Sequence, residues 1–175
     1  MTDHRRWLGC NESYPDRNAL MAQLVPAGRT VLDVGAGQMT LRQYLPPGCA
    51  YTPLDLYPRS PDTLVCDLNK REWPAGKWDV AVCSGVIEYV ADPEWLFDRL
   101  AESAGLVIAS YHGAATSERG RGYGFLTEMS PGQLPEVARR SGLEIVEVQP
   151  FGEQAIYAMV RKERHIKEAP PYDPA

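Results

Sequence analysis

Val31-Leu32-Asp33-Val34-Gly35-Ala36-Gly37 joins an apolar run to a glycine turn. Residues 29–34 read as a short buried strand, and Gly35 and Gly37 break it into a tight turn. Glycine has no side chain to keep a ligand away from the backbone, so such a turn suits the close approach of a bound molecule. Asp33 stands two residues ahead of the Gly-Ala-Gly, near the strand's carboxyl end. In an open α/β sheet, ligands lie beyond those carboxyl ends, where the strand order reverses.

Reading outward, residues 15–25 predict a helix: Pro15 suits its first turn, Leu20, Met21 and Leu24 share a face, and Pro26 ends it. Residues 40–45 predict a second helix, stopped by Pro46-Pro47. A strand over 50–54 ends at Asp55, and a third over 64–66 ends at Asp67. Between them, 56–62 carries prolines at 58 and 61 and is too broken for an ordinary crossover helix. Residues 78–84 are almost continuously apolar, as in a central parallel strand covered on both faces. Asp92-Pro93 opens a helix through Leu100, with the acid as N-cap and the proline in the first turn. A fifth strand spans 105–111, and a polar, glycine-rich stretch runs from His112 to Glu128. A helix from Ser130-Pro131 stops at Gly142, and strands over 143–148 and 154–160 follow.

Alternating strands and helices predict an α/β fold: a three-layer, doubly wound, mostly parallel sheet. The last two strands are too close in sequence for a parallel crossover, so the sheet is expected to close with an antiparallel C-terminal hairpin. The expected organisation is an N-terminal strap over 1–14, one domain over 15–162 and a charged, proline-rich tail over 163–175.

The chain has 175 residues, 44% hydrophobic and 23% charged, which suits one globular domain. Its net charge of −5 disfavours nucleic acid, whose phosphates call for a basic surface. No apolar run approaches the roughly 20 residues that span a bilayer. The start, with Arg5-Arg6 and no apolar core after them, is not a conventional secretory signal. Cys10, Cys49, Cys66 and Cys83 are scattered, without metal-ligand spacing, and read as reduced thiols in a cytoplasmic protein.

Asp33, Asp55 and Asp67 all occupy strand ends, so strands one, two and three are expected to aim them at one crevice. A carboxylate has two acceptor oxygens, which lets Asp55 take both hydroxyls of a ribose. With Pro53-Leu54-Asp55-Leu56, Cys66-Asp67-Leu68-Asn69 and Trp78 through Val90, the chain resembles the class I, seven-stranded Rossmann-like S-adenosylmethionine-dependent methyltransferases. The likeness covers about residues 15–162, in the family's order and spacing. The resemblance implies S-adenosylmethionine as cofactor and S-adenosylhomocysteine as product. It puts Asp33 near the methionine amino group, Gly35, Ala36 and Gly37 under the cofactor, and Asp55 with Leu56 at the ribose. Asp67 and Leu68 would frame the adenine, Ser84 and Gly85 would line the methionine end, and Tyr14 would close the pocket. Three positions depart from the pattern: Met39 replaces a frequent third glycine, the helix between strands two and three is missing, and Tyr89 replaces a frequent histidine.

Methyl transfer from a sulfonium is an in-line displacement, so the protein's main task is positioning. A hydroxyl acceptor also needs somewhere to send its proton. His112, opening the loop after strand five, is the candidate general base, with Tyr89, Tyr111 and Glu88 behind it. The loop over 112–128 reads either as a lid, with glycines for hinges and Tyr123 or Phe125 to stack on an acceptor, or as a surface excursion with no substrate role. A small molecule methylated on oxygen or nitrogen is the expected acceptor. A nicotinamide dehydrogenase fits less well, because Thr40 stands where its third glycine belongs. A non-catalytic cofactor-binding scaffold is the remaining alternative.

Overall fold

The computed structural model describes residues 15–112, 124–127, 129–130 and 132–162. The expected strap over 1–14, with Tyr14, and the expected tail over 163–175 lie outside the described residues. Strands β1 (Thr30–Val34), β2 (Ala50–Asp55), β3 (Leu64–Val65), β4 (Trp78–Cys83), β5 (Ala104–His112), β6 (Leu143–Phe151) and β7 (Gln154–Arg161) form one sheet. Their order is β3-β2-β1-β4-β5-β7-β6. β7 runs antiparallel to both β5 and β6, while β1 to β5 pair in parallel. The closing hairpin is therefore inserted so that its second strand lies inside and β6 forms the edge. The chain leaves β1 outward to β2 and β3, then returns to β4, so the order reverses between β1 and β4. That corrects the expectation that strands one, two and three line the switch point: β3 lies two strands away, at the sheet edge.

Side-chain alternation explains the apolar strands. Val31, Val80, Val82 and Ile108 pack on one face with Met21, Ala22 and Val25 from helix α1 (Pro15–Gln23) and its exit. Leu32, Val34, Ala81, Cys83, Val107 and Ala109 pack on the other. There they meet Leu96, Phe97 and Leu100 of helix α2 (Pro93–Ser103), and Leu134 and Val137 of helix α3 (Gln133–Arg140). Both faces are covered, so consecutive residues of the central strands are buried. Asp92 caps α2 by accepting the Trp95 N–H at 3.0 Å. No helix among the described residues is long and apolar enough to cross a membrane.

The expected helix over 40–45 is instead a single 3-10 turn, Thr40–Gln43. Pro46-Pro47 leaves too few residues for an α-helical ladder after the glycine turn, and only Leu41 of this turn is buried. The turn begins at Met39, which adopts φ 56° and ψ 29°, left-handed values that disfavour a side chain. The backbone conformation at this position suits glycine although the residue is methionine. Met39→Gly is expected to raise stability by roughly 0.5–1 kcal/mol, because relief of the left-handed strain exceeds glycine's extra chain entropy. A thermal melt that shows a lower midpoint for the variant would refute that reading.

Candidate functional site

The glycine turn is tied to β2: the Gly35 and Ala36 N–H groups both donate to the Leu54 carbonyl, at 2.8 and 2.9 Å. Gly35 has φ +70°, and a Cβ there would lie 2.3 Å from Cγ2 of Val86. Glycine at 35 is therefore demanded by packing against the segment after β4 as well as by the turn. A Cβ on Gly37 would meet only the Gly35 carbonyl, at 3.8 Å. The backbone at 37 is thus open to a ligand among the described residues.

Asp55, at the end of β2, is held in one orientation. Its Oδ2 accepts the Gly37 N–H at 2.8 Å, and its Oδ1 accepts the Tyr57 N–H at 3.0 Å and Arg59 Nε at 3.3 Å. Asp33 is 2% exposed, and the Tyr51 hydroxyl donates to its Oδ2 at 2.7 Å. Burial pushes the Asp33 carboxyl up to about 7; the Tyr51 hydrogen bond opposes this and the charge of Asp55 adds to it. Burial, then the charge of Asp33, pushes the Tyr51 hydroxyl up as well. A buried acid poised near neutrality favours a cation brought beside it.

Asp67 sits at the outer edge, where its carboxylate serves a local turn. Oδ1 accepts the Asn69 N–H at 3.0 Å and Oδ2 pairs with Lys70 at 3.3 Å. Leu68 packs, partly buried, against the core, and Leu56 is half-buried beside Asp55. Asp67 thus follows β3 at the sheet edge, and its side chain serves as a cap.

At the end of β4 the structure brings in a residue that sequence reading missed. Arg17 of α1 is 5% exposed and donates from Nε to Ser84 Oγ at 2.9 Å and from Nη1 to Gln154 Oε1 at 3.0 Å. Ser84 Oγ in turn donates to Asn18 Oδ1 at 2.7 Å. A Cβ on Gly85 would fall 2.8 Å from Arg17 Nη2, so this glycine makes room for the guanidinium. The signal was present: residues 17 and 21 share the buried face of α1, so a cation lay on an apolar stripe.

Further along the same edge, Glu88 is 2% exposed, and its Oε1 accepts the backbone N–H of His112 at 2.9 Å. Burial pushes its carboxyl above the usual range, against the His112 N–H and the charge of Arg17. His112 Nε2 lies 3.2 Å from Glu153 Oε2. The Phe125 ring stands 5.3 Å from the Tyr89 ring and 6.2 Å from the His112 ring. Tyr111 is fully buried, and its hydroxyl donates to the Met129 carbonyl at 3.1 Å and accepts the Met129 N–H at 2.6 Å. That occupation makes it a structural tie. Of the expected lid, 113–123 and 128 lie outside the described residues. Its far end is pinned, since the Leu126 and Thr127 N–H groups donate to the Glu88 carbonyl at 2.7 and 3.1 Å.

A family profile described as a methyltransferase domain matches residues 10–148. The chain belongs to this methyltransferase-domain family. Solved structures share its fold. A chain from the complex between the Haloferax volcanii Trm112 methyltransferase activator and a methyltransferase superposes with TM-score 0.74 at 16% identity, covering 91% of this chain and 95% of that one. A TehB-like methyltransferase from Corynebacterium glutamicum gives 0.64 at 21% identity, covering 91% and 93%. The Burkholderia thailandensis 1,6-didemethyltoxoflavin-N1-methyltransferase, solved with 1,6-didemethyltoxoflavin and S-adenosylhomocysteine, gives 0.67 at 15% identity, covering 85% and 77%. No curated protein matches the sequence. At these strand ends the described residues offer a fixed carboxylate at Asp55, a buried acid at Asp33 and an open backbone at Gly37.

Proposed function

We propose that the chain is an enzyme that transfers a methyl group from S-adenosylmethionine to a small-molecule acceptor held over the ends of β4 and β5. The observation that carries this reading is that Asp33, Asp55 and Gly37 lie at the carboxyl ends of the paired strands β1 and β2, while Gly85, beyond the neighbouring β4, makes room for the buried guanidinium of Arg17. Asp55 takes the ribose hydroxyls, Asp33 the methionine ammonium, and Arg17, through its guanidinium fork, the methionine carboxylate. Gly35, Ala36 and Gly37 pass beneath the cofactor, Leu56 flanks the ribose, Asp67 and Leu68 frame the adenine, and Ser84 and Gly85 line the methionine end. When bound, the cofactor supplies a methyl group already activated on a sulfonium. The protein then has to hold an acceptor in line with it and receive a proton.

His112 is the group we assign to the proton. Its contact with the Glu153 carboxylate, at 3.2 Å, orients the ring. Tyr89 and Phe125 supply aromatic walls for a flat acceptor, and Tyr14 and the strap over 1–14 would close the site. The B. thailandensis structure, with a small heteroaromatic acceptor beside S-adenosylhomocysteine, supports an acceptor of that scale. The test is formation of S-adenosylhomocysteine with a panel of small acceptors, read by mass spectrometry. His112→Ala is expected to slow turnover by roughly 100-fold or more, in the range of a lost general base, while S-adenosylhomocysteine affinity stays within about twofold. Full activity in that variant removes His112 from the chemistry.

A further inference from the structure

Two buried side-chain atoms beside the acceptor edge make no hydrogen bond: Glu88 Oε2 and His112 Nδ1. They form one unit, because Glu88 Oε1 accepts the backbone N–H of His112 at 2.9 Å. The unit is rigid, since the Glu88 carbonyl also takes the Leu126 and Thr127 N–H groups. The contact between His112 Nε2 and the Glu153 carboxylate places the ring proton on Nε2. His112 Nδ1 is then a lone-pair acceptor, as Glu88 Oε2 is when ionised. Native proteins rarely bury such atoms without a partner. Here two unpartnered acceptors belong to residues joined by a backbone hydrogen bond, and the His112 ring lies 6.2 Å from the Phe125 ring.

We propose that Glu88 Oε2 and His112 Nδ1 form a two-point receptor for an amino group on a flat acceptor, which makes the reaction an N-methylation. This rests on the cofactor reading above and specifies its substrate class. A neutral NH2 presents two hydrogens, one for each acceptor, and keeps its lone pair for the methyl carbon. A hydroxyl has one hydrogen and leaves one of the two acceptors unmatched. In the transfer, the amine nitrogen forms the new N–C bond as the C–S bond breaks, and that electron pair remains on sulfur, leaving a neutral thioether. The new ammonium sheds one proton to His112 Nδ1, and Glu153 stabilises the resulting imidazolium.

The experiment uses the full chain and matched pairs of probes, aniline with phenol and 1-naphthylamine with 1-naphthol, on the wild type and Glu88→Gln. The glutamine oxygen retains the His112 N–H, so its NH2 takes the place of Oε2 and turns an acceptor into a donor. The amine member of each pair is expected to turn over at least about tenfold better in the wild type, an advantage worth one well-made hydrogen bond. Glu88→Gln is expected to lower amine kcat/KM by about 30-fold or more, because a donor then faces a donor. S-adenosylhomocysteine affinity should not change in that variant. The 15N shift of His112 Nδ1 gives a second readout: in the S-adenosylhomocysteine complex, addition of 1-naphthylamine should move it, and addition of 1-naphthol should move it less. Equal amine turnover in Glu88→Gln, preference for the hydroxyl probes, or an Nδ1 signal indifferent to both amines would overturn the proposal. The last result would mean that a structural water fills the gap. Failure to bind S-adenosylhomocysteine at all is a different result, and it removes the cofactor reading itself.

Discussion

Asp55→Ala is expected to weaken binding of S-adenosylhomocysteine by roughly 30- to 100-fold. Two hydroxyls bound to one carboxylate are charge-assisted hydrogen bonds, and losing them together costs about 2–3 kcal/mol. The carboxylate is already fixed by the Gly37 and Tyr57 N–H groups and by Arg59, so none of that affinity is spent on ordering it. Removing the side chain also frees the Gly37 N–H from its 2.8 Å bond, which loosens the turn on which the cofactor rests. Adenosine separates this site from its neighbour, because it keeps the ribose and lacks the methionine. Its affinity should fall by a similar factor in Asp55→Ala and stay unchanged in Asp33→Asn. Circular dichroism controls for folding, and a folded variant with wild-type affinity removes Asp55 from the ribose.

The second large effect is at Asp33, and it has opposite signs for stability and binding. With a folded pKa of about 7 against an ordinary 3.8, the folded ligand-free protein holds a proton that the unfolded chain has released. Stability from this group is therefore greatest below pH 4 and falls as the pH rises through 4 to 7. The gap corresponds to roughly 4 kcal/mol once the carboxylate is ionised in both states. Asp33→Asn keeps an acceptor for the Tyr51 hydroxyl and carries no charge. It should be more stable than the wild type at pH 8, with the gain shrinking toward zero near pH 4. Binding should move the other way. The cofactor's ammonium needs the ionised acid, so wild-type affinity for S-adenosylhomocysteine is expected to rise about tenfold from pH 6 to pH 8. Tyr51, Asp55 and Cys83 are the other titratable groups coupled to Asp33, and Tyr51 and Asp55 already act in the value near 7. Asp33→Asn should bind weakly and with a flat profile over that interval. A wild-type affinity independent of pH would disprove the assignment.

Much of the sheet was legible because burial on both faces writes itself as apolar runs. β4 and β1 were readable for that reason, and so was the reversal needed to place two strands after α3. Element ends were less legible. β6 continues through Pro150 to Phe151, beyond the expected end at Val148. An edge strand needs half its N–H groups for no one, so proline is tolerated there. The turn after Met39 was read as a helix because residue preferences over so few positions cannot tell one 3-10 turn from the start of an α-helix.

Within the site, the strand-end acids were readable from position alone, while their partners were not. Tyr51 reaches Asp33 from the adjacent strand, Arg59 folds back on Asp55, and Arg17 meets Ser84 across most of the β1–β4 half. Arg59 lies only four residues from Asp55, whereas the Tyr51 and Arg17 pairings depend on register and crossover, which no local pattern encodes. The same is true of Glu153, which reaches His112 only because β7 is inserted beside β5. Asp67 shows the converse: a strand-end position was legible, yet a local turn uses the carboxylate.

Calorimetric titration of the full chain with S-adenosylhomocysteine, with NADH in parallel, tests the central claim most directly. One site per chain and micromolar affinity for S-adenosylhomocysteine, lost in Asp55→Ala and absent for NADH, is the expected result. No heat with S-adenosylhomocysteine, or saturable binding of NADH instead, would contradict it.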